Sequence, residues 1–347
     1  MSRARTTSSA GATLAEASAR PGASPARILV INVCRIGDTL LATPAIRALA
    51  KAYPAARITV LGHPKRVEVL AHLPWIAESA GISKLSARFK GRLGGARWDL
   101  ALVYGFDAPL VAYALRVAGR VVAFRQDDAQ LNGALYKAVA HPGYQTAHSV
   151  HNALLLTDAL GVPHAGYRLA YQLTGAESAW AATRLGEGAG PRIGLQLASF
   201  PTKSYRDWPL ASFVALARAI RAKWRSSEFL VFGGAEDRGR AGELAAALGS
   251  GCTVFAGTLT LRQTAALMSR TQLYVGVDTG PTHLMSCFDL PLVVLYHCIS
   301  PSRLIGALEH PRFFPVDHPK PHPCSQDTPM SEIPVDTVLA AVERALA

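Results

Sequence analysis

Short apolar runs recur along this chain. Each ends in a turn and gives way to a helical pattern, and this alternation constrains the fold more than any other feature. Arg27–Val33 (RILVINV) reads as a buried strand, followed by a turn at Cys34–Asp38 and a helix to about Ala52. Arg57–Leu61, Trp98–Tyr104 and Arg120–Phe124 are further strands with helical patterns between them, and Gln145–Leu160 carries apolar residues at helical spacing. Gly161–Pro163 ends this unit. After a linker and a helix near Glu177–Leu185 the alternation restarts. Strands are expected at Arg192–Leu197, Glu228–Phe232, Thr253–Phe255, Gln272–Val277 and Leu292–Leu295. Helices at Pro209–Trp224, Arg238–Leu248, Leu261–Ser269 and Pro281–Phe288 separate them. Such alternation implies parallel sheets covered on both faces. The expectation is an α/β protein of two Rossmann-like domains, 27–165 and 166–334, with a tail at 1–26 and a closing helix at 335–347. A length of 347 residues suits two domains of ~100–200 residues. Ligands of open α/β sheets bind outside the carboxyl ends of the strands, so the site belongs in the cleft between the domains.

Four turns at strand ends carry candidate site residues. The first is Asn32-Val33-Cys34-Arg35-Ile36-Gly37-Asp38-Thr39. It lacks the G-x-G-x-x-G of a dinucleotide site and instead puts a carboxylate where strand passes into helix. Asp38 is either the helix N-cap or a catalytic carboxylate. Thr43-Pro44 is a second good helix start, and Pro44 deep inside a helix begun at Asp38 would kink it. Capping alone therefore does not require Asp38. The second turn is Val277-Asp278-Thr279-Gly280-Pro281-Thr282-His283. Here Gly280 permits close backbone approach, a helix start attracts anions, Thr279 adds a hydroxyl and His283 an imidazole. A phosphate site fits this cluster, and an ordinary capped turn is the alternative. In the third, Ala198–Trp208 (ASFPTKSYRDW), Lys203 and Arg206 are placed to meet a phosphate in the same cleft, or the loop is simply solvated around a buried Trp208. In the fourth, Gly233-Gly234-Ala235-Glu236-Asp237, Glu236 is placed to hold ribose hydroxyls, or merely favours a helix N-terminus.

Charge narrows the partners. The chain carries 36 Lys+Arg against 24 Asp+Glu, net +12, which asks for nucleic acid, an anionic membrane surface or a phosphorylated substrate. The excess is uneven: residues 27–165 hold 16 basic and 8 acidic side chains, and residues 166–347 hold 17 and 15. The local cluster Lys84, Arg88, Lys90, Arg92 and Arg97 reads as a solvated face or as part of that anion-seeking surface. A hydrophobic content of 50% excludes disorder of the whole chain. No run of ~18 apolar residues predicts a membrane-spanning helix, since Arg116 and Arg120 interrupt Leu110–Phe124. Residues 1–26 lack the apolar segment of a secretory signal and are expected to be disordered. The five cysteines (Cys34, Cys252, Cys287, Cys298, Cys324) form no C-x-x-C. Neither a disulfide framework nor a structural metal site is expected, and a reducing cytoplasm fits. The adjacent His297 and Cys298 are expected to point different ways and make a poor metal pair.

Taken together, the opening I-L-V-I-N-V-C-R-I-G-D-T-L-L-A-T-P and the later V-G-V-D-T-G-P-T-H-L resemble glycosyltransferase family 9, the heptosyltransferases of lipopolysaccharide core synthesis. The resemblance runs from Arg27 to the C-terminus. It implies a GT-B fold, two Rossmann-like domains facing across a cleft. It also implies inverting transfer, without metal or cofactor, from a nucleotide-sugar donor, typically ADP-heptose, to an acidic glycolipid acceptor. Asp38 falls on the family's catalytic base, and Asp278, Thr279, Gly280 and His283 on its donor-phosphate motif. Lys203 or Arg206 falls near its phosphate-binding Lys, with Arg206 at the family's spacing before Trp208-Pro209. Glu236 falls on the acid that holds the donor ribose. After the strand at Leu292–Leu295 the family usually has F-G-P-T-x-P, whereas this chain has Tyr296-His297-Cys298-Ile299-Ser300-Pro301, and the family's late Cys-rich segment is reduced to Cys324.

The charge excess lies in the half that carries Asp38, the family's acceptor side, and an acidic glycolipid at the inner membrane face would explain it; the expectation is a cytoplasmic protein with peripheral association at that face and no nucleic-acid partner. The alternatives are a GT-B sugar-nucleotide epimerase, a nicotinamide oxidoreductase, disfavoured by the missing glycine fingerprint, and a non-catalytic basic binding protein, which has no use for Asp38 or the D-T-G-P-T-H turn.

Overall fold

A computed structural model describes residues 24–92 and 94–347. The first half builds a six-stranded parallel sheet from β1 (Arg27–Asn32), β2 (Arg57–Gly62), β3 (Glu78–Gly81), β4 (Trp98–Val103), β5 (Ala118–Phe124) and β6 (Lys137–Val139). Its order is β3-β2-β1-β4-β5-β6. The second half repeats the plan with β7 (Arg192–Gln196), β8 (Glu228–Phe232), β9 (Cys252–Val254), β10 (Leu273–Val277), β11 (Leu292–Tyr296) and β12 (Phe313–Asp317). Its order is β12-β11-β10-β7-β8-β9, again all parallel. The two Rossmann-like halves face each other across a cleft, as a GT-B fold requires.

The central strands explain why the sequence folds this way. β7, β10 and β11 are buried along their whole length, and β1 is buried apart from Arg27, so both faces of each strand need apolar side chains. The three strands absent from the sequence reading, β3 (ESAG), β6 (KAV) and β12 (FFPVD), are all sheet edges. An edge strand is half solvated, so it has no continuous apolar run to mark it. Pro315 is tolerated in β12 because only one side of that strand is paired.

The expected long helix after β1 is two helices, Ile36–Leu41 and Thr43–Ala52, joined at Ala42. Pro44 has no N–H to give the Leu40 carbonyl, and the Thr43 hydroxyl donates to that oxygen instead, at 2.6 Å. The same hydroxyl accepts the Ala170 amide at 3.0 Å, pinning the interdomain linker to this break. The expected tail lies outside the described residues as far as residue 23. The Ala26 and Arg27 amides both donate to Asp99 Oδ2 at 2.8 Å. The closing helix Val335–Leu346 packs Val338, Ala341, Val342 and Ala345 into the second half's core with Ile193, Val275 and Val293.

Candidate active site

Both sheets reverse strand order at a switch point, β1/β4 in the first half and β10/β7 in the second. These are the places where open α/β sheets leave a crevice. The turn carrying Asp38 follows β1, and the Asp278–His283 turn follows β10. The segment with Lys203 and Arg206 follows β7, and Tyr104-Gly105 follows β4. All of these line one cavity of about 540 Å³ between the halves.

Asp38 sits in the first turn of Ile36–Leu41, but it is not the cap. That place belongs to Arg35, and no side chain caps the helix. Asp38 is exposed to the cavity, whose protein walls enclose it. That enclosure raises its pKa above the ordinary carboxylate value, with Asp278 adding to the rise and His283 and Arg35 opposing it. Cys34 beside it is no nucleophile: burial, with Asp38 and Asp107, pushes its thiol up to about 12.

Across the cavity, Asp278 is 2% exposed. Arg206 Nη1 donates to its Oδ2 at 2.6 Å, and His283 Nε2 stands 3.4 Å from its Oδ1. Burial works against the Asp278 charge, but Arg206 and His283 outweigh it and hold the pKa below its ordinary value. The other end of the Arg206 guanidinium donates to the Ser300 hydroxyl at 3.2 Å. Asp278 is thus committed to two cationic or polar neighbours and is poorly suited to touch a phosphate itself. Lys203 also lines the cavity, has no ion-pair partner among the described residues, and holds Nζ 5.7 Å from the Tyr205 ring.

The helix start expected as an anion site is largely used up. Pro281 has no N–H, and the Thr282 and His283 amides both donate to the Thr279 carbonyl, at 3.1 and 3.2 Å. The Gly280 amide and the Thr279 hydroxyl are what that turn offers a ligand. Glu236 lies in the turn Ala235–Asp237 after β8, exposed and outside the cavity lining, while Asp237 Oδ2 accepts the Gly234 amide at 2.8 Å. The geometry therefore brings Asp38, Asp278, Thr279, Gly280, His283, Lys203 and Arg206 together and leaves Glu236 apart.

The halves meet tightly beside the cavity. A methyl group on Gly37 would lie 2.7 Å from His283 Cδ2, and one on Gly280 would lie 3.1 Å from Ile36 Cβ. The Arg35 guanidinium stacks 4.7 Å from the Phe200 ring of the opposite half. Sequence reasoning did not single out Arg35, Phe200, Tyr144 or Ser300. Arg35 and Phe200 lie within the first and third turns without a role being assigned to them, and Ser300 belongs to the segment that departs from the family pattern.

Two cysteine expectations are overturned. Cys298 and Cys324 form a disulfide with Cα atoms 5.8 Å apart. They are 26 residues apart in sequence, and the return of the chain after β12 brings them together. His297 and Cys298 also converge: His297 Nδ1 lies 3.8 Å from Cys298 Sγ and 4.0 Å from Cys324 Sγ. Together these three side chains form a cluster of potential metal ligands within 4.8 Å of one another. In this structure the sulfurs are bonded to each other, and Nδ1 accepts the Ile299 amide at 3.1 Å.

A family model described as glycosyltransferase family 9 (heptosyltransferase) matches residues 87–328, a span that begins after Asp38 and includes the other candidate site residues. The chain is 27% identical over 284 residues to lipopolysaccharide heptosyltransferase 3 of Escherichia coli, covering 75% of this chain and 80% of that protein. It is 25% identical over 304 residues to lipopolysaccharide heptosyltransferase 2 of Salmonella typhimurium, covering 79% and 84%. Among solved structures, a glycosyl transferase family 9 protein from Veillonella parvula superposes with a TM-score of 0.80 at 20% identity, over 92% of this chain and 97% of that one. The E. coli ADP-heptose lps heptosyltransferase II superposes with a TM-score of 0.73 at 21% identity, over 92% and 98%. The fold, the paired motifs on facing strand ends and the matched span agree: this chain belongs to glycosyltransferase family 9, the heptosyltransferases.

Proposed function

We propose that the enzyme transfers a heptose, with inversion at the anomeric carbon, from ADP-heptose to the acidic core sugars of a lipopolysaccharide precursor. One observation carries this reading. A single cavity holds a carboxylate of raised pKa from one half and a cationic group from the other. Asp38 accepts the proton of the acceptor hydroxyl as its oxygen attacks the anomeric carbon, a form of catalysis worth typically ~10²–10⁴-fold. The bond to the donor phosphate breaks, and its electron pair leaves with the nucleoside diphosphate. Lys203, His283, the Gly280 amide and the Thr279 hydroxyl meet that charge, and no metal ion takes part. Arg206 neutralises Asp278, and Asp278 in turn orients His283. Glu236, in the turn after β8 and outside the cavity lining, holds the donor ribose only if the nucleotide reaches beyond the cavity.

The charge excess of residues 27–165 favours an acidic acceptor on that half. The enzyme works in the cytoplasm, at the inner face of the membrane where the glycolipid is built. Attachment to that membrane is peripheral in this reading, and among the described residues no helix is long and apolar enough to cross a membrane. The test is a donor screen on purified protein, with a lipopolysaccharide core acceptor and mass spectrometry of the products. A heptosylated core from ADP-heptose is expected. Transfer only from another nucleotide-sugar would overturn the donor, and sugar-nucleotide turnover without acceptor would point to an epimerase.

A further inference from the structure

Five of the six large apolar side chains that the described residues leave exposed belong to the first half: Leu85, Phe89, Phe106, Tyr136 and Tyr144. Leu85 and Phe89 are 67% and 64% exposed. They stand one turn apart on the helix Lys84–Phe89, which buries Ala87 on its opposite face. The helix is therefore pinned by one small residue while its large apolar side chains face outward. Its fixing is otherwise polar: Ser83 caps it, Lys84 pairs with Asp107, and Arg116 donates to the Lys90 carbonyl at 3.1 Å.

Charge surrounds this apolar pair. Residues 79–98 contain Lys84, Arg88, Lys90, Arg92 and Arg97 and no Asp or Glu. Arg88, Lys90, Arg92 and Arg97 are exposed, and the Arg92 guanidinium lies 5.5 Å from the Phe89 ring. The patch also connects to the cleft. Asp107, the partner of Lys84, follows Phe106, whose ring packs 5.5 Å from His141, and His141 lies 4.6 Å from Tyr144 at the cavity.

We propose that Leu85 and Phe89, ringed by Arg88, Lys90 and Arg92, dock this face on an anionic lipid bilayer and so set the mouth of the cleft against the membrane surface. Leucine and phenylalanine enter the boundary between headgroups and acyl chains, while the flanking cations meet anionic headgroups. No acidic side chain in the stretch opposes that approach. The proposal deepens the reading of a lipid-linked acceptor, but lipid binding itself does not depend on that reading.

The experiment is co-sedimentation of the full chain with phosphatidylglycerol-containing vesicles and with pure phosphatidylcholine vesicles, for the native protein, Leu85→Ser/Phe89→Ser and Arg88→Glu/Lys90→Glu. Native protein should bind the anionic vesicles, lose binding as salt rises and ignore phosphatidylcholine. Each double variant should bind at least about tenfold more weakly. All substituted side chains are exposed, so melting temperature and transfer to a water-soluble core fragment should be unchanged, while transfer to vesicle-embedded acceptor falls. Loss of transfer to both acceptors alike would not fit a docking role. Absence of binding to anionic vesicles, or equal binding by the variants, would overturn the proposal. So would light scattering showing a native dimer that Leu85→Ser/Phe89→Ser dissolves, since a second copy would then cover the patch.

Discussion

Gly37 of the first half and His283 of the second touch across the cleft, with room between them for a hydrogen but not for a methyl group, which would lie 2.7 Å from His283 Cδ2. This contact sets the turn that carries Asp38 against the imidazole that neighbours Asp278. Gly37→Ala should therefore misplace His283 or part the two helices, at a cost in stability of about 1–3 kcal/mol. A displacement of about 1 Å at reacting groups lowers the rate by about 10²-fold. Steady-state kinetics beside a thermal melt would show both. Unchanged kcat would mean that the contact does not govern the site.

Lys203 and Arg206 should behave differently although they lie three residues apart. Arg206→Ala leaves the buried Asp278 carboxylate with His283 as its one remaining partner, which costs up to about 3–5 kcal/mol. Lys203→Ala removes a half-buried cation without an ion-pair partner among the described residues, so the fold should stand while donor kcat/KM falls. Chemical denaturation paired with donor kinetics separates the two. The reverse pattern would exchange their roles.

Asp278 also predicts an acid limit to stability. Its pKa in the folded protein is held below the ordinary value of about 3.9. The unfolded chain therefore takes up its proton first as pH falls. Stability from the Arg206–Asp278 pair is present above pH ~4 and is lost as pH drops through the folded pKa. Asp278→Asn should flatten this part of the stability curve, as followed by urea unfolding between pH 2 and 5. An unaltered slope in the variant would contradict the pairing.

Asp38 has the opposite sign. Burial raises its folded pKa, so the folded state holds the proton more tightly and Asp38 lowers stability as pH rises through the shifted value. Asp38→Asn should melt no lower than the native enzyme at neutral pH, and the acid limb of kcat/KM should lie above the usual carboxylate range. A variant markedly less stable at pH 7 would mean that Asp38 is a structural anchor.

The Thr43 hydroxyl joins the helix break to the linker, donating to Leu40 and accepting from Ala170. Thr43→Val keeps the shape and leaves the Ala170 amide unpaired, while the Leu40 carbonyl keeps the Ala42 amide, at a cost of about 1–3 kcal/mol. A melt would measure it, and a neutral result would show that the linker is held elsewhere.

The parallel sheets were legible in the sequence because β1, β7, β10 and β11 must be apolar on both faces. The edge strands β3, β6 and β12 were not, since half of each meets water. The turn after β10 was legible as a cluster, yet its internal division of labour was not. Arg206 is 72 residues from Asp278, and nothing local announces their pairing. Asp38 illustrates the reverse: Pro44 already hinted that capping alone did not explain it, and the helix is indeed capped by no side chain. The Cys298–Cys324 disulfide escaped because spacing rules see neighbours in sequence, whereas the chain after β12 makes neighbours in space.

The central claim is that Asp38 takes the proton of the acceptor. Its most direct test is single-turnover transfer from ADP-heptose to a core acceptor by Asp38→Asn, with donor affinity measured by calorimetry on the same sample. Donor binding should be retained while the transfer rate falls by ~10²–10⁴-fold. Transfer at close to the native rate would contradict the account.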